Sequence, residues 1–226
     1  MIAGELVVAN DAEDLATRAV RFIARQIELS PTFRFVLSGG STPRSLYTLL
    51  GEHRELPWGR VEMFMGDERF VPLDHPDSNF RMVRETLLAH GIQPKAIHPI
   101  PTDGTPQDAA ERYETLLRSI SRNPLFDLNL LGLGEDGHIA SLLPDQPVLE
   151  VRDKLVAVVP KGRSEQRITL TYPALESSRI TMFLVSGKAK AAMVKRARAG
   201  DISIPAGRLR PSGSVIWFID RSAAEN

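Results

Sequence analysis

Two patterns of apolar residues alternate along the chain. Long blocks carry them every three or four positions, as an amphipathic helix requires. Short runs are apolar almost throughout, as strands covered on both faces require. Residues 4–10 (GELVVAN) read as a strand. Residues 11–29 read as a helix with Asp11 as N-cap and Ala16, Val20, Ile23 and Ile27 along one face. A strand is predicted over 33–40 (FRFVLSGG), then a helix over 42–53 with Pro43 at its first position, where the missing N–H costs nothing. Next come a strand over 61–68 (VEMFMGDE), a helix over 78–91 aligning Phe80, Val83 and Leu87, and a helix over 105–121. A strand over 126–134 (FDLNLLGLG) leads into what reads as a short helix after His138. Later strands are predicted over 154–160, 167–171, 180–187 and 214–220, with a helix over 188–200.

Strands alternating with helices predict an α/β fold: three layers, a mainly parallel sheet with helices on both faces, Rossmann-like, as one domain over residues 1–226. Ligands of such sheets sit beyond the carboxyl ends of the strands. Four predicted strands end in polar text: LSGGSTP, MGDERFVP, LGLGEDGH and LVSGKAK. The fold rule puts those ends on one edge.

Composition narrows the chemistry. Lys+Arg and Asp+Glu are both 28, so no global field favours nucleic acid or a membrane surface, and any anion site is local. There is no cysteine, hence no disulfide, thiolate metal cluster or cysteine nucleophile. No apolar run approaches ~18 residues, and the N-terminus lacks the basic region of a signal peptide. The expectation is a soluble, cytoplasmic protein.

The polar ends carry the candidate chemistry. Ser38–Pro43 is a glycine turn entering a helix, where backbone N–H groups and the helix dipole attract phosphate. Gly40, Ser41 and Thr42 are its candidates; the plainer alternative makes Thr42 an N-cap. Asp67, Glu68 and Arg69 follow an apolar strand and suit a cleft rim. GLGEDGH matches G-x-G-x-x-G formally through Gly132, Gly134 and Gly137. The match lies mid-chain, and Glu135 and Asp136 would set carboxylates beside a pyrophosphate, which argues against a dinucleotide. Asp136 and His138, two apart, suit proton transfer, since histidine titrates near neutrality and a carboxylate fixes its tautomer. The plainer alternative is a helix-start histidine. Arg167 and Lys188 are either phosphate ligands or surface charges. Lys190, Lys195, Arg196 and Arg198 read as a solvated helix face, and His53, His75, His90 and His98 show no metal-ligand spacing.

Taken in order, LSGGSTP, GDERFVPLDHPDSNF, DLNLLGLGEDGHIASLLP, RITLT, SGKAK and VIWFID resemble the 6-phosphogluconolactonase family over nearly the whole chain. The related glucosamine-6-phosphate deaminases share the GG-T/S-P and DGHIA segments, and Ile139 resembles them. They carry a glutamate five residues after the motif histidine, where this chain has Leu143, and DEY where it has DER. The resemblance therefore favours a lactonase: hydrolysis of 6-phospho-D-glucono-1,5-lactone, the second step of the oxidative pentose phosphate pathway. It implies His138 as general base, oriented by Asp136 or Asp67. Arg69 would hold the substrate and stabilise an oxyanion, and Ser41, Thr42, Arg167 and Lys188 would hold the phosphate. Gly40, Asn79 and Gly137 complete the substrate-binding set. No metal or organic cofactor is implied, and no partner beyond the sugar phosphate except a weak homodimer at most. A deaminase and a non-catalytic sugar-phosphate-binding module are the alternatives.

Overall fold

The computed structural model describes residues 2–120, 122–160 and 164–225; Ser121, the expected last residue of one helix, lies outside them. The main sheet has seven strands, all parallel. Their order is β1 (Glu5–Ala9), β10 (Ser214–Asp220), β9 (Ser178–Val185), β6 (Phe126–Leu131), β2 (Phe33–Leu37), β3 (Val61–Met65) and β5 (Ala96–His98). The inner strands are apolar because both faces are covered. All six residues of β6 are buried, and Phe183 of β9 stacks on Trp217 of β10 at 3.8 Å. The helices α1 (Ala12–Leu29), α2 (Ser41–Glu52), α3 (Asn79–Glu85), α4 (Pro106–Ser119), α5 (Tyr172–Glu176), α6 (Ala191–Ala199), α7 (Pro205–Arg208) and α8 (Arg221–Ala224) make up the outer layers. In α1, Asp11 caps the N-terminus by accepting from Glu13 and Asp14, and the predicted stripe is buried. The three-layer, mainly parallel α/β architecture is the one expected. No helix among the described residues is long and apolar enough to cross a membrane.

β9, β6, β2 and β3 are consecutive neighbours, so their four polar carboxyl ends meet on one edge, as the fold rule requires.

Several local expectations need correction. The run 61–68 is not one strand. β3 stops at Met65, and Gly66 turns the chain out of the sheet, donating to Leu37 while its carbonyl accepts from Leu170. Asp67–Arg69 then forms β4. It pairs antiparallel with β8 (Arg167–Leu170), which pairs antiparallel with β7 (Val156–Val159), making a second, three-stranded sheet. An apolar pattern identifies a strand but not its partner. The helix over 78–91 ends at Glu85 and resumes as a 3-10 turn, Leu88–His90. No helix follows His138: Ile139 and Leu142 form an isolated antiparallel bridge, and Ala140 has φ 47°. α2 begins at Ser41 with Gly40 as N-cap, so Pro43 is its third residue and Thr42 caps nothing. The strand β5 and helices α5, α7 and α8 were not expected.

Candidate active site

Beyond the ends of β2, β6 and β9, with β4 and β8 closing one side, lies an open, polar cavity of about 210 Å³. Each wall follows from local structure.

After β6 the chain folds into a closed turn. Gly134 N–H donates to the His138 carbonyl at 2.9 Å, and Gly137 N–H to the Gly134 carbonyl at 3.1 Å. This brings His138 Nδ1 to 2.5 Å from Asp136 Oδ1, which also accepts from the His138 N–H at 3.2 Å. A carboxylate only accepts, so Nδ1 carries the hydrogen and Nε2 is left as the acceptor. Burial pushes the Asp136 carboxyl up, but the hydrogen bond and charge of His138 outweigh it and hold Asp136 below its ordinary value. Behind the turn, Ala206 N–H donates to the Gly137 carbonyl at 2.9 Å.

The β2–α2 turn presents Gly40, Ser41 and Thr42 to the cavity. The buried Tyr47 hydroxyl anchors its base, accepting from Ser38 N–H at 2.8 Å and donating to the Ser38 carbonyl at 2.9 Å. Burial raises that phenol's pKa well beyond its usual range.

β4 supplies three different functions in three residues. Asp67 is buried; its Oδ2 accepts from Ser141 Oγ at 2.5 Å and its Oδ1 from Asn79 Nδ2 at 3.3 Å. It thereby ties the α3 start to the loop after His138. Glu68 is also buried, and its carboxylate accepts from the N–H groups of Arg69, Asn79 and Phe80 and from Ser78 Oγ. It caps α3 and does not line the cavity. Burial raises its pKa despite those four bonds. Arg69 lines the cavity and donates to the Asp77 carbonyl.

Arg69 and Arg167 are paired directly across β4 and β8. Both face the cavity, and each has a buried Nε without a hydrogen-bond partner among the described residues. Glu165 accepts from Arg167 Nη2 at 2.9 Å. Ser164 and then the two arginines hold the Glu165 carboxyl below its ordinary value, against its burial. After β9, Ser186 and Lys190 complete the wall; Lys190 Nζ lies 3.7 Å from Glu135.

Comparison with known proteins identifies the family and the fold. The family described as glucosamine-6-phosphate isomerases/6-phosphogluconolactonase matches residues 9–217. The chain belongs to that family. A 6-phosphogluconolactonase of Synechocystis sp. is 42% identical over 200 residues, covering 84% of this chain and 82% of the relative. Among solved structures, the 6-phosphogluconolactonase of Thermotoga maritima superposes with a TM-score of 0.86 at 32% identity, covering 96% of this chain and 99% of that one. That of Trypanosoma brucei gives 0.87 at 31% identity, covering 99% and 98%.

Of the residues that the family resemblance nominated, Gly40, Ser41, Thr42, Asp67, Arg69, Asn79, His138 and Arg167 line the cavity. Asp136 contacts the His138 ring from behind, and Gly137 belongs to its turn. Two nominations change. Asp67 binds Ser141 and Asn79, leaving Asp136 as the carboxylate on the ring. Lys188 is exposed and outside the cavity, whereas Lys190, read as a surface charge, lines it. The two belong to one 3-10 turn, and its three-residue pitch decides which reaches inward. Ser38 and Ser186 were missed as lining residues, although both stand in the polar text after β2 and β9. Leu143, at the position of the deaminase glutamate, is buried and absent from the cavity wall.

Proposed function

We propose that the cavity binds 6-phospho-D-glucono-1,5-lactone and hydrolyses it to 6-phospho-D-gluconate, with His138 as general base. The observation carrying this is the union, in one cavity, of a histidine–carboxylate pair with two facing arginines, each keeping a buried Nε–H without an acceptor among the described residues. Like charges directly opposite on neighbouring strands are destabilising, and a buried charged donor without an acceptor costs still more. A phosphate between Arg69 and Arg167 relieves both. Arg69 therefore joins the phosphate site, and Ser41, Thr42 and Lys190 add donors to it.

Asp136 holds the Nδ1–H of His138. Nε2 takes a proton from water as its oxygen attacks the lactone carbonyl carbon, giving a tetrahedral oxyanion. Collapse breaks the bond to the ring oxygen, which leaves with the proton returned by His138. An ester carbonyl is electrophilic already, so the reading invokes no metal or organic cofactor. It makes the protein a cytoplasmic enzyme of sugar-phosphate metabolism. Leu143 favours the lactonase over the deaminase, because the deaminase glutamate is missing.

The phosphate assignment is tested by binding of the product. Arg167→Ala weakens 6-phosphogluconate about ten- to hundredfold, for a lost charged hydrogen bond of roughly 1.5–3 kcal/mol. It changes kcat less. Lys188→Ala leaves binding unchanged. Wild-type affinity in Arg167→Ala would put the phosphate elsewhere. Asp136→Asn lowers turnover, by less than loss of the ring itself, since the amide oxygen still accepts from Nδ1–H but the charge opposing the imidazolium is gone. Turnover of Asp136→Asn and His138→Ala measured side by side checks this: equal losses would contradict the orienting role of Asp136.

A further inference from the structure

Lys190 enters the cavity from the 3-10 turn Lys188–Lys190, which follows β9. The turn is held from the neighbouring strand. β10 pairs with β9 up to Ile219 opposite Val185, so Asp220 stands beside Ser186, the first residue after β9. Asp220 is buried. Its Oδ2 accepts from Ser186 Oγ at 2.5 Å, and Oδ1 and Oδ2 accept from the Gly187 N–H at 3.2 and 3.1 Å. Gly187 has φ 104°, open to glycine and strained for other residues, and there the chain swings into the 3-10 turn bearing Lys190. Oδ1 also accepts from the Ala223 N–H and Ser222 Oγ at 2.8 Å each, capping α8. One carboxylate thus joins the last strand, the last helix and the Lys190 turn.

We infer that Asp220 is a positioning residue for substrate binding, fixing the Ser186–Gly187 turn so that Lys190 meets the substrate's anionic group. This rests on the placement of Lys190 in the proposed phosphate site. Burial pushes the Asp220 carboxyl up, but Ser186, Ala223 and Gly187 pull it further down, so it stays a charged acceptor. Lys190 itself forms one ion pair among the described residues, to Glu135, which is 67% exposed and holds weakly.

The test is a double-mutant cycle read in KM and kcat for the phosphorylated lactone and in affinity for 6-phosphogluconate. Lys190→Ala raises KM and weakens the product. Asp220→Asn does the same by about tenfold, near the lower end for loss of one charged hydrogen bond, with kcat nearly unchanged. In the Lys190→Ala background Asp220→Asn adds little, since nothing remains to be positioned. Ser186→Ala, which removes one bond to Asp220 and spares the α8 cap, shows a smaller shift that also vanishes in that background; it keeps the test open if Asp220→Asn does not fold. Ser222→Ala, which touches the cap alone, leaves KM unchanged. Equal losses of kcat and affinity, or effects that multiply in full on Lys190→Ala, would make Asp220 merely structural and overturn the inference. An unchanged KM in Lys190→Ala itself would fail at the phosphate site, and the inference with it.

Discussion

His138→Gln or His138→Ala lowers the enzyme-catalysed opening of the lactone by about 10²–10⁴-fold, the usual contribution of a general base. The protein stays folded and still binds 6-phosphogluconate, because the arginines, the α2 turn and Lys190 are untouched. The plainer role for His138, a residue starting a helix, has no support, since the chain forms an isolated bridge there and no helix. The measurement subtracts spontaneous opening, because the lactone is an activated ester and the background can hide a dead enzyme. Acidification of the wild type acts in the same direction: a protonated imidazole cannot accept a proton. Asp136 is held below its ordinary value, so it stays ionised as pH falls into the usual carboxylate range. The stabilisation from that lowered carboxyl is present above its unfolded value and is lost only as pH falls through the depressed folded one. A folded His138→Ala protein with normal turnover would remove the base from this residue.

Gly134→Ala reduces kcat by about 10²-fold with KM nearly unchanged, since small displacements of a catalytic group cost that much. A Cβ at Gly134 would overlap His138 Nδ1 and Cε1 and would stand 2.5 Å from Asp136 Oδ1. That methyl group cannot fit with the Asp136–His138 pair as it stands, so the ring and its carboxylate must shift. The phosphate ligands lie on other elements and stay put. Gly59→Ala is the control: a Cβ there meets no heavy atom within 4 Å, and activity should not change. If Gly134→Ala kept wild-type turnover, the Asp136 contact would be dispensable.

These residues show what a chain discloses by itself. The seven-stranded sheet was legible except for β5, because strands covered on both faces are written as apolar runs, and the polar text after β2, β3, β6 and β9 marked the edge where the cavity lies. The second sheet was legible only in part: β7 and β8 read as strands, but β4 and the pairing that joins the three did not. Asp-Glu-Arg has no strand pattern, and its pairing depends on Gly66 turning the backbone, which only the tertiary contacts of Leu37 and Leu170 reveal. The choice between Asp67 and Asp136 was open for a similar reason: both stand in motif text, but only the 134–138 turn brings a carboxylate to Nδ1. Lys190 was mistaken for surface because a lysine's periodicity on a helix says nothing about a preceding 3-10 turn. Ser141 and Asp220 carry no motif chemistry of their own, and they matter through the groups they hold.

Adding the protein to freshly made 6-phospho-D-glucono-1,5-lactone and following acid release, with glucosamine 6-phosphate as a parallel substrate monitored for ammonia, separates hydrolysis from deamination in one experiment. A lactonase opens the ring well above the spontaneous rate, in proportion to protein concentration, and releases no ammonia. Opening at the spontaneous rate, or ammonia from the amino sugar, would contradict the proposed hydrolysis.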